Sequence, residues 1–95
     1  MIRVVAKNFI KPEKTGEAEP LFRELVAETQ KEEGCIEYRL FVIPGQPGLY
    51  VYVEEWEDRA ALDRHTKSAH YTRIVPQTRA MAEKPGEIMI MEEFR

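Results

Sequence analysis

The chain has one cysteine, Cys35, so it cannot close an internal disulfide and must be held by packing alone. A lone thiol, with an N-terminus lacking the apolar core and cleavage pattern of a signal peptide, points to a reducing cytoplasm. Two histidines and one cysteine are few soft ligands, and no metal centre is expected from them. No apolar run approaches the ~20 residues a membrane-spanning helix needs, which excludes a membrane protein of that kind. There is no basic excess: Lys and Arg total 14 against 17 Asp and Glu, a net charge of -3, with the signs interleaved. A nucleic-acid groove shows the opposite balance. Pro44-Gly45-Gln46-Pro47-Gly48 lacks the lysine and following helix of a phosphate loop, and flavin and nicotinamide fingerprints are missing. No bound cofactor is expected.

What remains is a soluble composition, 43% hydrophobic and 33% charged, over 95 residues. That length predicts one domain spanning 1–95, with a core thin enough to make self-association a reasonable expectation.

Hydrophobic alternation predicts a strand over Ile2–Ile10, with Ile2, Val4, Ala6, Asn8 and Ile10 on one face. After a polar turn, Leu21, Phe22, Leu25, Val26 and Thr29 recur at helical spacing. This predicts a helix reaching about Glu33, with Pro20 near its first turn and Gly34 as its left-handed stop. Cys35–Ile43 and Leu49–Trp56 read as a hairpin of strands around the Pro-Gly cluster. Asp58 is placed to cap a second helix that breaks near His65–Ser68, and Ser68 to cap a further piece running to about Glu83. Pro76 is expected to kink that piece, Pro85-Gly86 to end it, and Glu87–Phe94 to form the last strand.

Strand, helix, strand, strand, helix, strand is the α+β, ferredoxin-like βαββαβ order, a four-stranded antiparallel sheet with both helices on one face. The other face carries Val5, Phe9 and alternate residues of the remaining strands. That much bare apolar surface needs a cover, and a second copy would supply it by closing a dimeric α+β barrel.

Some residues break the pattern. Asn8 sits among Val4, Ala6 and Ile10, so its amide needs a partner, either a neighbouring turn or a ligand in a cavity. His65 and His70 are five apart, which would separate them on a continuous helix. With the helix broken between them, both imidazoles can turn toward one pocket, where histidine binds an oxygen substituent or moves a proton. No acidic residue stands at metal-binding spacing from either. Tyr50, Tyr52, Glu54 and Trp56 alternate on one strand face, with Tyr38 on the next strand. Such side chains either pack the sheet or line a pocket for a flat organic molecule. Cys35 reads as a small hydrophobe rather than a nucleophile. Met81, Met89 and Met91 read as core or interface filler.

Lys31-Glu32-Glu33-Gly34-Cys35 followed by Tyr38, then Glu54-Glu55-Trp56, then Leu62 with His65, Ser68 and His70, together resemble the antibiotic biosynthesis monooxygenase domain over almost the whole chain. The small quinol monooxygenases belong to that family. The resemblance implies a homodimer and oxidation of a small aromatic or quinol-like substrate by molecular oxygen, with no metal or bound flavin. It implies Asn8 and His65 as catalytic, with Tyr38, Trp56, His70 and Tyr71 shaping and polarising the substrate pocket. The haem-degrading branch needs a later histidine, and Tyr71–Pro76 contains none. A branch that isomerises a phosphorylated signal molecule shares His65 and His70-Tyr71. It would place Arg64, Lys67 or Arg73 near the phosphate. A dimer that binds a metabolite without converting it is the third reading.

Overall fold

The computed structural model describes residues 1–95. The strands are β1 (Ile2–Ile10), β2 (Cys35–Val42), β3 (Leu49–Trp56) and β4 (Ala82–Glu92). The helices are α1 (Thr15–Thr29), α2 (Arg59–Thr66) and α3 (Ala69–Ala80), with a 3-10 turn at Pro12–Lys14 leading into α1. The sheet is antiparallel in the order β2-β3-β1-β4, so the expected α+β, ferredoxin-like arrangement is what the chain adopts. Phe22 and Leu25 of α1, Leu62 of α2 and Ile74 of α3 pack onto Val4, Ile10, Tyr38, Tyr52 and Trp56 of the sheet. Burying each such side chain is worth about 1.5–3 kcal/mol. The caps are where the sequence put them: Asp58 accepts from the Ala61 amide at 2.8 Å and Ser68 from that of Tyr71 at 3.3 Å.

Four boundaries differ from the sequence expectation. Helix α1 stops at Thr29 rather than near Glu33. Its end unwinds through three-residue bonds, Lys31 N–H to Glu28 O and Glu32 N–H to Thr29 O, which places Glu32 in a loop. Pro20 lies in the second turn of α1, because the 3-10 turn starts the helix early, at Thr15. Helix α3 runs through Pro76 to Ala80 and stops short of Glu83. Pro85 and Gly86 fall inside β4, which starts at Ala82 instead of Glu87. Strand β4 is the sheet edge, and its register against β1 slips between Lys7 and Phe9, opposite Pro85 and Gly86. An edge bulge is where a strand tolerates a residue without an N–H. Two residues, Pro85 and Gly86, thus oppose the single Asn8, which has no one-to-one partner on β4.

Only one sheet face is covered. Phe41, Met89 and Met91 project from the other and remain exposed, beside half-buried Val5, Val51 and Val53. Ile88 and Ile90 point the opposite way, to the helix side, yet are exposed as well, because the helices leave the edge strand uncovered.

Candidate active site

The cavity between sheet and helices follows from one small residue. Across the sheet, Tyr52 of β3, Ala6 of β1 and Ile88 of β4 stand in register. Ala6 fills little of its place, and the floor dips there. Leu25, Leu62, Tyr71, Val75 and Thr78 roof the depression from the helices. The resulting space is about 220 Å³, below the ~300 Å³ where drug-sized pockets begin, and its size suits a ligand of one or two rings. Asn8, Tyr38, Tyr52, Glu54 and His65 reach it. A larger cleft of about 920 Å³ lies at the sheet end, but it is lined by Met1, Arg3, Glu55, Asp58 and other largely charged groups, with neither histidine.

His65 closes one wall. It is 2% exposed, boxed by Tyr38 at 5.3 Å, Trp56 at 4.8 Å and Tyr71 at 5.0 Å between ring centroids. Its Nδ1 lies 2.7 Å from Oε2 of Glu32, and Nε2 of His70 lies 2.6 Å from the same oxygen. A carboxylate only accepts, so both imidazoles donate to it. That fixes the His65 tautomer with its proton on Nδ1 and leaves the Nε2 lone pair free for a group in the cavity. Burial lowers the His65 pKa below its ordinary 6.5, opposed by the hydrogen bond and charge of Glu32, with His70 lowering it further. His65 is therefore neutral at pH 7 and able to accept a proton.

Glu32 entered the sequence reading only as part of the Lys31–Cys35 stretch of the family pattern, with no role assigned to it, and it corrects the expectation that no acidic residue would complete a ligand set with the histidines. It is 33 residues from His65 and 38 from His70, beyond the reach of any spacing rule. The signals near it in the sequence were that family pattern and the Gly34 that follows the α1 end. Gly34 has φ +87°, and a Cβ there would lie 2.5 Å from the Ala61 Cβ. Glycine thus lets the loop carrying Glu32 pass close against α2. The donor atoms of Glu32, His65 and His70 lie within 4.8 Å of one another, the composition of a two-histidine, one-carboxylate metal site. As it stands, those atoms are engaged in hydrogen bonds to each other.

The other sequence candidates fall on both sides of this wall. Asn8, Tyr38, His65 and Tyr71 share the cavity. Trp56 does not line it: fully buried, it stacks behind His65 and donates from Nε1 to Glu54 Oε1 at 2.9 Å. His70 stands beyond Glu32, outside the lining. Glu54, 5% exposed, has its pKa pushed up to about 7 by burial, partly offset by the Trp56 bond and reinforced by the charge of Glu32. The Cys35 thiol is pushed up to about 11 by burial and by Glu32 and Glu54, so it stays protonated and is a poor nucleophile. Arg64, Lys67 and Arg73 do not reach the cavity, and Arg73 is paired with Glu24 instead.

A fold, a pocket and a histidine wall of this kind define a small α+β domain of one known type. The family model described as antibiotic biosynthesis monooxygenase matches residues 1–77, and the chain belongs to that family. A solved structure described as an antibiotic biosynthesis monooxygenase superposes with a TM-score of 0.97 at 44% identity, covering 100% of both chains. The Bacillus subtilis (strain 168) protein named "Putative monooxygenase YcnE" is 32% identical over 92 residues, 97% of this chain and 97% of its own length. An uncharacterized Synechocystis protein, sll1783, is 32% identical over 88 residues, 92% of this chain. The match spans 60% of that relative's length.

Proposed function

We propose that this protein is a monooxygenase that oxidises a small quinol or phenol with molecular oxygen, without a metal or bound flavin, as a cytoplasmic homodimer. The observation that carries the reading is His65: a neutral imidazole oriented by Glu32 at the wall of an aromatic-sided cavity. Bound flat between the tyrosines, a ring hydroxyl at Nε2 loses its proton to His65, and the phenolate that results is rich enough in electrons to reduce oxygen itself. Asn8, an unpaired amide at the bulge, supplies a donor for the charge that builds on oxygen. For a hydroquinone the balance closes without a further reductant. Dioxygen and the quinol give a hydroxyquinone and water, one oxygen atom entering the ring and the other leaving as water, with all four electrons from the substrate. The cations that line the cavity are Lys7 and Arg79, rather than Arg64, Lys67 or Arg73.

The dimer rests on the bare sheet face with Phe41, Met89 and Met91, which a second copy covers best. The test of activity is oxygen uptake with a panel of mono- and dihydroxylated one- and two-ring aromatics, in buffer treated with EDTA. Consumption of at least one, with label from dioxygen in the product, supports the reading. No uptake across the panel ends it.

A further inference from the structure

His70 has no part in the chemistry proposed above, because Glu32 already orients His65 and His70 does not line the cavity. Its placement is nevertheless specific. The break between α2 and α3, capped by Ser68, lets His70 Nε2 and His65 Nδ1 end on the same Glu32 oxygen, at 2.6 and 2.7 Å. Two imidazoles and one carboxylate, with donor atoms within 4.8 Å of one another, match the protein ligands of a three-ligand zinc site. Round a tetrahedral cation such atoms stand about 3.3 Å apart, so the group needs only a small adjustment to close on one. No lysine or arginine pairs with Glu32, and its Oε1 accepts no hydrogen bond. The Glu32 and His70 side chains are 15% and 17% exposed, which gives an ion a way in from solvent that does not pass through the cavity.

We propose that Glu32, His65 and His70 bind a divalent cation of the zinc type, and that its binding switches off His65 as a base. The site is new to the reading above; its inhibitory effect rests on that reading. The ion takes the place of the two protons directed at Oε2, and each imidazole carries its proton on the other nitrogen instead. His65 is then ligated at Nδ1 and protonated at Nε2, the nitrogen left for the cavity. An N–H donates and cannot accept, so a ring hydroxyl placed against it keeps its proton. Neither Glu32 nor His70 lines the cavity. The ion therefore sits behind the His65 ring, away from substrate, and regulates the site without taking part in the oxidation.

Calorimetric titration of the metal-free protein with zinc tests the site, with cobalt(II) as a second probe whose visible absorption reports tetrahedral coordination. One equivalent is expected to bind. His70→Gln, which keeps a donor for Glu32, is expected to weaken binding at least about 100-fold, since losing even an outer-shell partner costs about 10–100-fold. Glu32→Gln is expected to do the same, so the result does not hang on one variant. In the oxygen-uptake assay, zinc is expected to stop oxidation by the wild type and to leave unaffected whatever oxidation His70→Gln retains. A wild type that binds no zinc, or variants that bind it as tightly as the wild type, overturns the site. Oxidation that is indifferent to bound zinc, or rises with it, overturns the switch. A protein that binds zinc through these residues yet oxidises no phenol of the panel sinks the quinol reading and leaves the metal site standing.

Discussion

Glu32 and His65 are 33 residues apart, yet their Oε2 and Nδ1 atoms lie 2.7 Å from each other in a largely buried contact. The carboxylate does two things to the imidazole: it selects the tautomer, and it raises a pKa that burial lowers. Removing His65 removes the base, and removing Glu32 leaves the base misdirected and weaker.

His65→Ala is accordingly expected to lower the oxidation rate about 10²–10⁴-fold. Glu32→Gln should keep the fold, lower the rate, and shift the acid limb of the pH–rate profile to lower pH, since the charge that raises the His65 pKa is gone. Steady-state oxygen uptake between pH 5 and 9 measures both. A Glu32→Gln profile that moves upward or stays fixed contradicts the assignment.

Glu54 gives a stability signature of opposite sign to that of His65. Its folded pKa, about 7, is above the ordinary 4.5, so its contribution to stability is full below 4.5 and is lost as pH rises to 7. The size is about 3 kcal/mol. The His65 pKa is lowered instead. Its contribution is full above 6.5 and is lost as pH falls below that value toward the folded pKa. Glu54→Gln should therefore be more stable than wild type at pH 8 and nearly equal to it at pH 4.5. Urea unfolding at the two pH values reads the difference, and a constant offset between the curves would be the contrary result.

Ala6→Leu is predicted to fill the depression that Ala6 leaves between Tyr52 and Ile88. Ligand binding should disappear while the unfolding midpoint is kept or rises by the equivalent of about 1 kcal/mol. Retained binding of a dihydroxylated two-ring aromatic would show that the ligand sits elsewhere.

The bare face makes a prediction about assembly. Sedimentation at micromolar concentration should give twice the monomer mass. Met89→Arg with Met91→Arg should reduce it to the monomer, because two charges replace exposed apolar groups of the bare face. A wild type that sediments as a monomer removes the barrel.

The sequence fell short where two segments met rather than where one segment repeated. The alternation of β1 and β3 was legible to the residue, because one face of each lies on the helices and the period of two is fixed by the pleat. The two helix caps were legible for the same local reason: Asp58 and Ser68 need only the amides three residues on. The end of α1 and the start of β4 were not. The unwinding after Thr29 is fixed in part by Gln30 donating to the Tyr38 carbonyl on the neighbouring strand, and Pro85 is tolerated only because β4 is an edge. At the site, Asn8 and His65 could be marked from the residues themselves, Tyr38 as one of a set of aromatics and Tyr71 from the family resemblance, and the four do share the cavity. Glu32 stood in the quoted family pattern, but its contact with His65 and His70 could not be read there, because it spans 33 and 38 residues.

What the scarcity of cysteine, histidine and long apolar runs determined was the kind of protein: a small domain without disulfides or spanning helices, built as α+β from short-range periodicity. Tertiary structure alone decided that a glutamate joins the two histidines and that Trp56 backs the site instead of lining it. The physical reason is one of range. Propensity, capping and alternation act over a few residues, whereas a buried hydrogen bond depends on which distant segments the packed core brings within 3 Å.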